Sequence, residues 1–535
     1  MKRLQVRKDA YYDSVFLMLA ARGVKAMDGV SEAVVAMATP MNLELLGELG
    51  FEKDALAGLG PNDLIIAVDA RDEDTSEAAF KEAFAALTRK KQASSGTGLA
   101  RTGSMASAIK LDPAINLAVI SVPGAYAARE ARKALEAGLH VMLYSDNVSL
   151  DDEIALKRLA TSKGLLVMGP DCGTAIINGK PLCFANVVRR GTVGIVAASG
   201  TGLQETCCLI DRYGAGVSQA IGTGGRDLKN AAVGGMTSLL ALAALAADPA
   251  TKVLLVVSKP PAPEVADKVI AALEASGKPA VAHFLGLPAR PDRGRVAFAA
   301  DLEEAALLAA RLALGDSSPE AARASIAEDS GNDRYNRPRP EAIRALAAAE
   351  AGKLGTGQKY LRGLYTGGTL ADEAMFMAHK ELGGVHSNNQ TDPAWVLADP
   401  FKSRFHSVVD LGDDVFTTGK PHPMIDPGAR AERIAAEGAD PEVAVLLLDF
   451  VLGYGSHPDP VGACLAELKE ARAAAAARGG YLPVVASVTG TEADPQGRAA
   501  QVAALETTGV IVMPSNYRAA LLAVEIAKLA QGGTR

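Results

Sequence analysis

The chain has 535 residues, of which 49% are hydrophobic and 22% charged, with a formal net charge of −7. That length implies three or four domains with ample core, and the mildly acidic, interspersed charge argues against a nucleic-acid or anionic-membrane partner. There is no run of about 18 apolar residues, and Met1-Lys2-Arg3 leads into an alternating segment rather than a signal-peptide core, so a cytoplasmic location is expected. The five cysteines form no C-x-x-C pair, which predicts reduced thiols and no zinc site.

Taken in order, residues 4–23 read as a strand and an amphipathic helix. Residues 33–51 repeat that pattern, with Thr39-Pro40-Met41-Asn42 at the strand end. Residues 63–69 form a third expected strand, followed by a helix from Ser76 to about Lys91 and a Ser/Gly-rich loop at 94–98. Residues 116–173 then read as a β-α-β-α-β run. Strands alternating with helices of this length imply a parallel sheet with ligand sites at the strands' carboxyl ends. Those ends hold Val122-Pro123, Ser145-Asp146-Asn147 and Gly169-Pro170-Asp171-Cys172. No GxGxxG follows the first strand and no P-loop occurs, so neither NAD nor a Walker-type nucleotide is expected.

Two stretches carry the strongest signal. Residues 194–203, GIVAASGTGL, read as an apolar strand, a turn at Ser199-Gly200-Thr201-Gly202 and a helix start. Residues 362–370, RGLYTGGTL, repeat this with Thr366-Gly367-Gly368-Thr369. Glycine admits close approach, the first helical N–H groups lack partners, and the dipole puts roughly +0.5 charge there, so each turn suits an anion. The elements that follow also match in order. After the first turn come 221–228, 253–258, 279–286 and 296–310, and after the second come 408–415, 443–453, 483–492 and 510–524. This is an internal repeat of one β/α unit, and the expectation is that the two helix starts face each other across one phosphate.

Other polar residues admit two readings each. His422, between Pro421 and Pro423, suits acid/base or anion-contact work, or caps a surface turn. Arg226, after Gly224-Gly225, can offer a guanidinium to a substrate carboxylate or pair structurally with Asp227. Asp171 and Cys172 are candidate substrate contacts. A nucleophilic thiol needs a nearby cation, which is not visible in sequence, so packing is the other role for Cys172. Asp410, Asp413 and Asp414 can chelate Mg²⁺ or form a solvated turn, and no metal site is assigned. Glu205 reads as a helix-start carboxylate rather than a base. Residues 384–406 form a loop-rich insertion without an interpretation. Residues 316–358 read as a linker with one helix from Pro340 to about Lys353.

The stretches LAVISVPGAYAAREARKALEAG, GLLVMGPDCG, ASGTG and IGTGGRD resemble the alpha subunit of succinyl-CoA synthetase, and PVVASVTGTEADPQ resembles the carboxyl-terminal domain of its beta subunit. With YTGGTLA, DLGDD and KPHPMIDP, the whole chain resembles the FdrA family, a fused branch of the acyl-CoA synthetase superfamily. The resemblance implies an α/β fold. It comprises a Rossmann-like CoA-binding domain at 1–189, a first flavodoxin-like ligase domain at 190–315, a linker at 316–358 and a second ligase domain at 359–535. It implies that the two glycine turns hold phosphate and that Thr39, Pro40, Asn42, Val122, Pro123, Ser145 and Asn147 line a CoA-type pocket. Two departures stand out. The loop at 284–301 lacks the synthetase's phosphohistidine, His283 lying inside the preceding strand, and there is no room for an ATP-grasp domain. The resemblance therefore points to phosphate-dependent acyl or carbamoyl transfer on a small carboxylate or ureide. Oxamate carbamoyltransferase activity with co-encoded partner subunits, or in a homo-oligomer, is its most specific form. Succinyl-CoA ligase-type chemistry and a non-catalytic CoA-binding regulator are the alternatives.

Overall fold

The computed structural model describes the chain except residues 9, 11, 13, 57, 61–62, 94–101, 289, 330–336, 418–419 and 533–535. The expected loop at 94–98 thus lies outside the described residues. Two compact units are present: residues 1–108 with 417–421, and residues 109–416 with 422–535.

The first unit contains β1 (Lys2–Arg7), β2 (Val30–Met37) and β3 (Leu64–Ala70) in the order β1-β3-β2, with β3 antiparallel to both neighbours. β3 is buried on both faces. Leu64, Ile66 and Val68 pack with Leu17, Val35 and Phe80, while Ile65 and Ala67 pack with Leu46 and Phe51. This corrects the Rossmann-like domain expected over 1–189, since residues 2–70 form an antiparallel sheet of their own. An alternation of strands and helices reads the same whether the third strand extends a parallel sheet or inserts, reversed, between the first two.

The second unit opens with the parallel strands β4 (Leu117–Ile120), β5 (His140–Leu143) and β6 (Val167–Met168). A hairpin follows, β7 (Thr174–Ile177) and β8 (Lys180–Cys183), turned at Asn178 and Gly179. Both turn residues have positive φ, 51° and 73°, the backbone for which Asn-Gly is suited. The hairpin pairs with the next sheet, so residues 174–183 belong with the first repeat rather than with the expected 1–189 domain.

That sheet contains β9 (Arg190–Ala198), β10 (Val217–Gly222), β11 (Val253–Ser258), β12 (Ala280–Phe284) and β13 (Val296–Phe298). Its order is β13-β12-β11-β9-β10-β7-β8. The last sheet contains β14 (Tyr360–Tyr365), β15 (Ser407–Asp410), β16 (Val443–Val451), β17 (Val484–Thr489) and β18 (Ile511–Met513). Its order, β15-β14-β16-β17-β18, is the same doubly wound order as β10-β9-β11-β12-β13, and all these pairings are parallel. The α/β class and the two flavodoxin-like repeats are thereby established.

One continuous apolar core joins the repeats. Leu203, Leu307 and Leu308 of the first pack in it with Leu361, Leu370 and Leu522 of the second. The expected linker is also part of it. It holds two helices, Pro319–Asp329 and Pro340–Ala351, whose Ala322, Ile343 and Ala347 are buried in the same core. An Ala-rich, charged segment looks like a spacer because the stripe it buries is narrow, with Ile343 its one large fully buried apolar side chain among the described residues.

Candidate functional site

The two glycine turns meet. Ser199 Oγ donates to Thr369 Oγ1 at 2.7 Å, and the Thr369 N–H donates to Thr201 Oγ1 at 3.3 Å. Packing is close enough that a Cβ on Gly367 would stand 2.9 Å from Thr201 Cγ2, and one on Gly202 would stand 3.0 Å from Thr369 Cγ2. The helices Gly200–Arg212 and Gly368–Leu382 therefore point their N-termini at a common place. Ser199 caps its own helix by accepting from the Gly202 N–H at 3.1 Å. The hydroxyls expected to hold an anion are instead largely engaged in clasping the two turns. Among the described residues no acceptor meets the N–H groups of Gly200, Thr201 or Gly368, and Gly200 is exposed.

The second turn is fixed by a residue that the sequence reading missed. Asp449, fully buried in β16, accepts from the Thr366 N–H at 2.7 Å and the Gly367 N–H at 2.8 Å. It also accepts from the Thr366 hydroxyl, while Arg430, stacked 4.3 Å over the Phe450 ring, donates to the Asp449 carbonyl. Burial raises the Asp449 carboxyl, and Arg430 and the Thr366 donors oppose that rise. The available signal was a lone carboxylate in the apolar run 443–451.

A charged group flanks the paired starts. Lys259, at the carboxyl end of β11, sets its Nζ 2.8 Å from Asp372 Oδ2. Asn389, from the uninterpreted insertion, donates to Asp372 at 2.9 Å and Asp410 at 3.2 Å. Burial pushes the Asp410 carboxyl up to about 6, against the pull of Lys259. Of the expected DLGDD trio only Asp410 joins this group, and no set of three metal-ligating side chains occurs among the described residues.

His422 is half-buried on the same side. Its Nδ1 accepts from the Met424 N–H at 3.2 Å, so Nε2 carries the proton, and burial pushes its pKa down to about 4. A Cβ on Gly412 would meet His422 Nε2 at 2.7 Å, Asp410 Oδ1 at 3.1 Å and the Thr366 carbonyl at 3.1 Å, so these three converge beside the second turn. A neutral imidazole there can donate to an anion without adding charge. His283 is buried within β12 and makes a 3.0 Å contact with the Ala299 carbonyl, away from any loop.

The other expected site residues are held by different elements. Val122, Pro123, Ser145 and Asn147 gather at the ends of β4 and β5, where the Val122 N–H donates to Ser145 Oγ at 3.0 Å. Thr39, Pro40 and Asn42 belong to the antiparallel unit. Thr39 caps the Pro40–Glu48 helix through the Asn42 N–H, and the Asn42 amide donates to the Met37 carbonyl at 2.8 Å. Arg226 pairs with Glu153 at 2.7 Å rather than with Asp227, and Asp227 pairs with the buried Lys157 at 2.7 Å. Asp171 is exposed at the end of β6, with φ 55°. Of its two expected roles, Cys172 takes the packing one and not that of a substrate contact. It is 3% exposed, its Sγ approaches the Thr174 carbonyl at 3.6 Å, and burial pushes its pKa up to about 12, so the thiol packs rather than reacts.

The repeats exchange caps. Glu205 of the first accepts from the Asn516 N–H, which opens the last helix of the second, at 3.0 Å. Glu373 of the second accepts from the Leu302 N–H, which opens the last helix of the first, at 2.9 Å. Glu205 is thus a helix-capping carboxylate, though for the other repeat's helix rather than its own.

Comparison with known proteins places these elements. Three family models match: "AllF, heavy metal-associated domain" at residues 1–102, "CoA binding domain" at 188–286 and "CoA-ligase" at 364–526. The CoA-binding match therefore falls on the first repeat rather than on residues 1–189, and residues 1–102 contain neither cysteine nor histidine. The succinate–CoA ligase [ADP-forming] alpha subunit of Aquifex aeolicus is 27% identical over 184 residues, 33% of this chain and 59% of that one. Among solved structures, the apo dinucleotide-forming acetyl-coenzyme A synthetase 1 of Ca. Korarchaeum cryptofilum aligns with a TM-score of 0.31 at 17% identity, covering 82% of this chain and 89% of that one. The chain has the α/β architecture and the CoA-binding and CoA-ligase segments of the acyl-CoA synthetase type. At 46% identity over 98% of each chain, it belongs to the same family as the uncharacterized protein YahF of Escherichia coli (strain K12).

Proposed function

We propose that the chain is a transferase or ligase subunit that moves an acyl-type group between phosphate and a second acceptor at the joined helix starts. Acyl-CoA ligase-type chemistry, in which the CoA thiol takes the acyl group of an acyl phosphate and inorganic phosphate leaves, the acyl phosphate having been made from a small carboxylate and ATP, is the reading that the family matches favour. The observation that carries it is the 2.7 Å contact between Ser199 and Thr369, which holds two helix N-termini in one place. Each partly buried start contributes up to ~2 kcal/mol toward an anion. Preorganised N–H donors also stabilise the charge that develops on phosphoryl oxygens, without a nucleophile from the protein. The fit to phosphate rests on the open N–H groups of Gly200, Thr201 and Gly368, the Lys259 ammonium and a neutral His422.

A second reading, carbamoyl transfer of the oxamate carbamoyltransferase kind within an FdrA-type family, is favoured by one specific observation. No histidine occupies residues 284–301, and His283 is locked in its strand, so a phosphohistidine relay has no carrier at the expected position. Phosphate attacking an activated carbamoyl carbonyl would need none. The test is to incubate the protein, with and without co-encoded partners, with CoA, ATP and small carboxylates, and separately with carbamoyl phosphate plus oxamate. Acyl-CoA formation supports the ligase reading. Product only in the second mixture replaces it with carbamoyl transfer, and no product in either leaves a regulator.

A further inference from the structure

The strand β11 ends Val256-Val257-Ser258 and then runs into Lys259-Pro260-Pro261. Ser258 Oγ donates to the Lys259 carbonyl at 2.6 Å, and the prolines restrict the backbone on the other side, so the lysine's freedom is confined to its side chain. That side chain leaves the first repeat and crosses to the second. A Cβ on Gly368 would stand 3.6 Å from Lys259 Nζ and 2.5 Å from Asp410 Oδ2, which puts the ammonium beside the first residue of the second helix. The lysine side chain is 33% exposed, so an anion can reach it from solvent, whereas its partner Asp372 is only 8% exposed.

The pair is unlike that of the buried Lys157 in the same unit. Lys157 is fully enclosed by Glu153, Asp227 and the Thr223 carbonyl, and has nowhere else to go. Lys259 faces an opening, and both of its carboxylate neighbours have a second partner. Asn389 donates to Asp372 and to Asp410, and the Gly412 N–H donates to Asp410 at 2.9 Å. Removing the ammonium therefore leaves neither carboxylate bare. An ammonium is a compact point charge on a flexible stem and can change partners without the geometric demands of a guanidinium.

We propose, resting on the transfer site above, that Lys259 is the residue that binds the anion at the joined helix starts, and that Asp372 occupies its ammonium until the anion displaces it. The first repeat supplies the cation for an anion that the second repeat's helix start also holds, so the site needs both repeats. Asp372 acts as an internal competitor. Its neutralisation should strengthen binding, the reverse of what loss of a simple structural ion pair would do.

The test is calorimetric titration of the full chain with inorganic phosphate, with a thermal melt of each variant to confirm folding. Lys259→Ala is expected to weaken phosphate about 10- to 100-fold, the range for one charge-assisted hydrogen bond, with Lys259→Gln as the second variant should alanine fail to fold. Lys259→Arg is expected to stay within about threefold of the parent, and Asp372→Asn to bind more tightly than the parent. Parent-like affinity in the folded Lys259 variants, or weaker binding in Asp372→Asn, overturns the proposal while leaving the helix-start site in place. No phosphate binding by the parent chain removes the site itself.

Discussion

Single residues decide how the second unit is held. Lys157 is 1% exposed, with Glu153 at 2.8 Å and Asp227 at 2.7 Å, and Asp227 also takes the Ser238 hydroxyl at 2.6 Å. Replacing the lysine with methionine keeps the volume but leaves the buried Asp227 without its cation, while Glu153 keeps Arg226, and Lys157→Met is expected to cost about 3–5 kcal/mol in urea unfolding. A change under ~1 kcal/mol would show that the carboxyls simply take up protons. At this scale the sequence was legible only in part. Ser199, Thr201 and Thr369 stood out because glycine-rich turns before helices are rare. Asp449, which holds Thr366 and Gly367, and Lys259, which pairs with Asp372, did not, although each is a lone charge in or just after an apolar strand. Sequence spacing gives no measure of what lies across from a strand end. The same limit explains Arg226, whose partner Glu153 sits 73 positions away and not beside it.

At the scale of elements, the exchanged caps tie the repeats together and carry a pH signature. Burial pushes Glu373 up to about 8, with Asp301 adding like charge, and burial pushes Asp301 up to about 7. Both are raised above their unfolded values near 4, so the folded chain keeps protons that the unfolded chain has released. Stability is therefore lost as pH rises toward 8. The histidines whose pKa burial lowers, His140, His283, His386, His406 and His422, act in the opposite sense, but only below about 6.5. Between pH 6.5 and 8.5 the carboxyls lead, joined toward pH 8.5 by the thiols of Cys172, Cys183, Cys207 and Cys208, which burial also raises, and Tm is expected to fall across that window. In Glu373→Gln this fall should be markedly smaller than in the parent, with Asp301 supplying part of it up to about pH 7 and the raised thiols part of it near pH 8.5. An equal fall in parent and variant would contradict the assignment. Strand order and repeat were readable from sequence because parallel strands buried on both faces appear as continuous apolar runs. The direction of β3 was not, since an inserted antiparallel strand has the same apolar character.

On the scale of the whole molecule, the two repeats share a fold and a core, yet they divide the work at their contact. The first brings Ser199, Thr201 and Lys259, and the second brings Thr369, Asp410 and His422. Neither half holds the set alone, which gives a physical reason for the duplication to stay within one chain. Thr39 and Asn42 belong to the antiparallel unit, whereas Ser145 and Asn147 belong to the second unit, an assignment that a reading of 1–189 as one domain did not make.

The most direct measurement is calorimetric titration of inorganic phosphate into the parent chain and into Gly200→Val and Gly367→Val. At Gly200 an added Cβ meets nothing nearer than Thr174 Oγ1 at 3.8 Å outside its own chain neighbours and helix backbone, so the β-carbon has room, and valine is expected to cover the open N–H groups. At Gly367 valine would press on Thr201 and part the two turns. Binding by the parent and its loss in both variants is the predicted result, with Gly200→Val melting like the parent. Undiminished phosphate affinity in both would contradict the claim that the joined helix starts form the anion site.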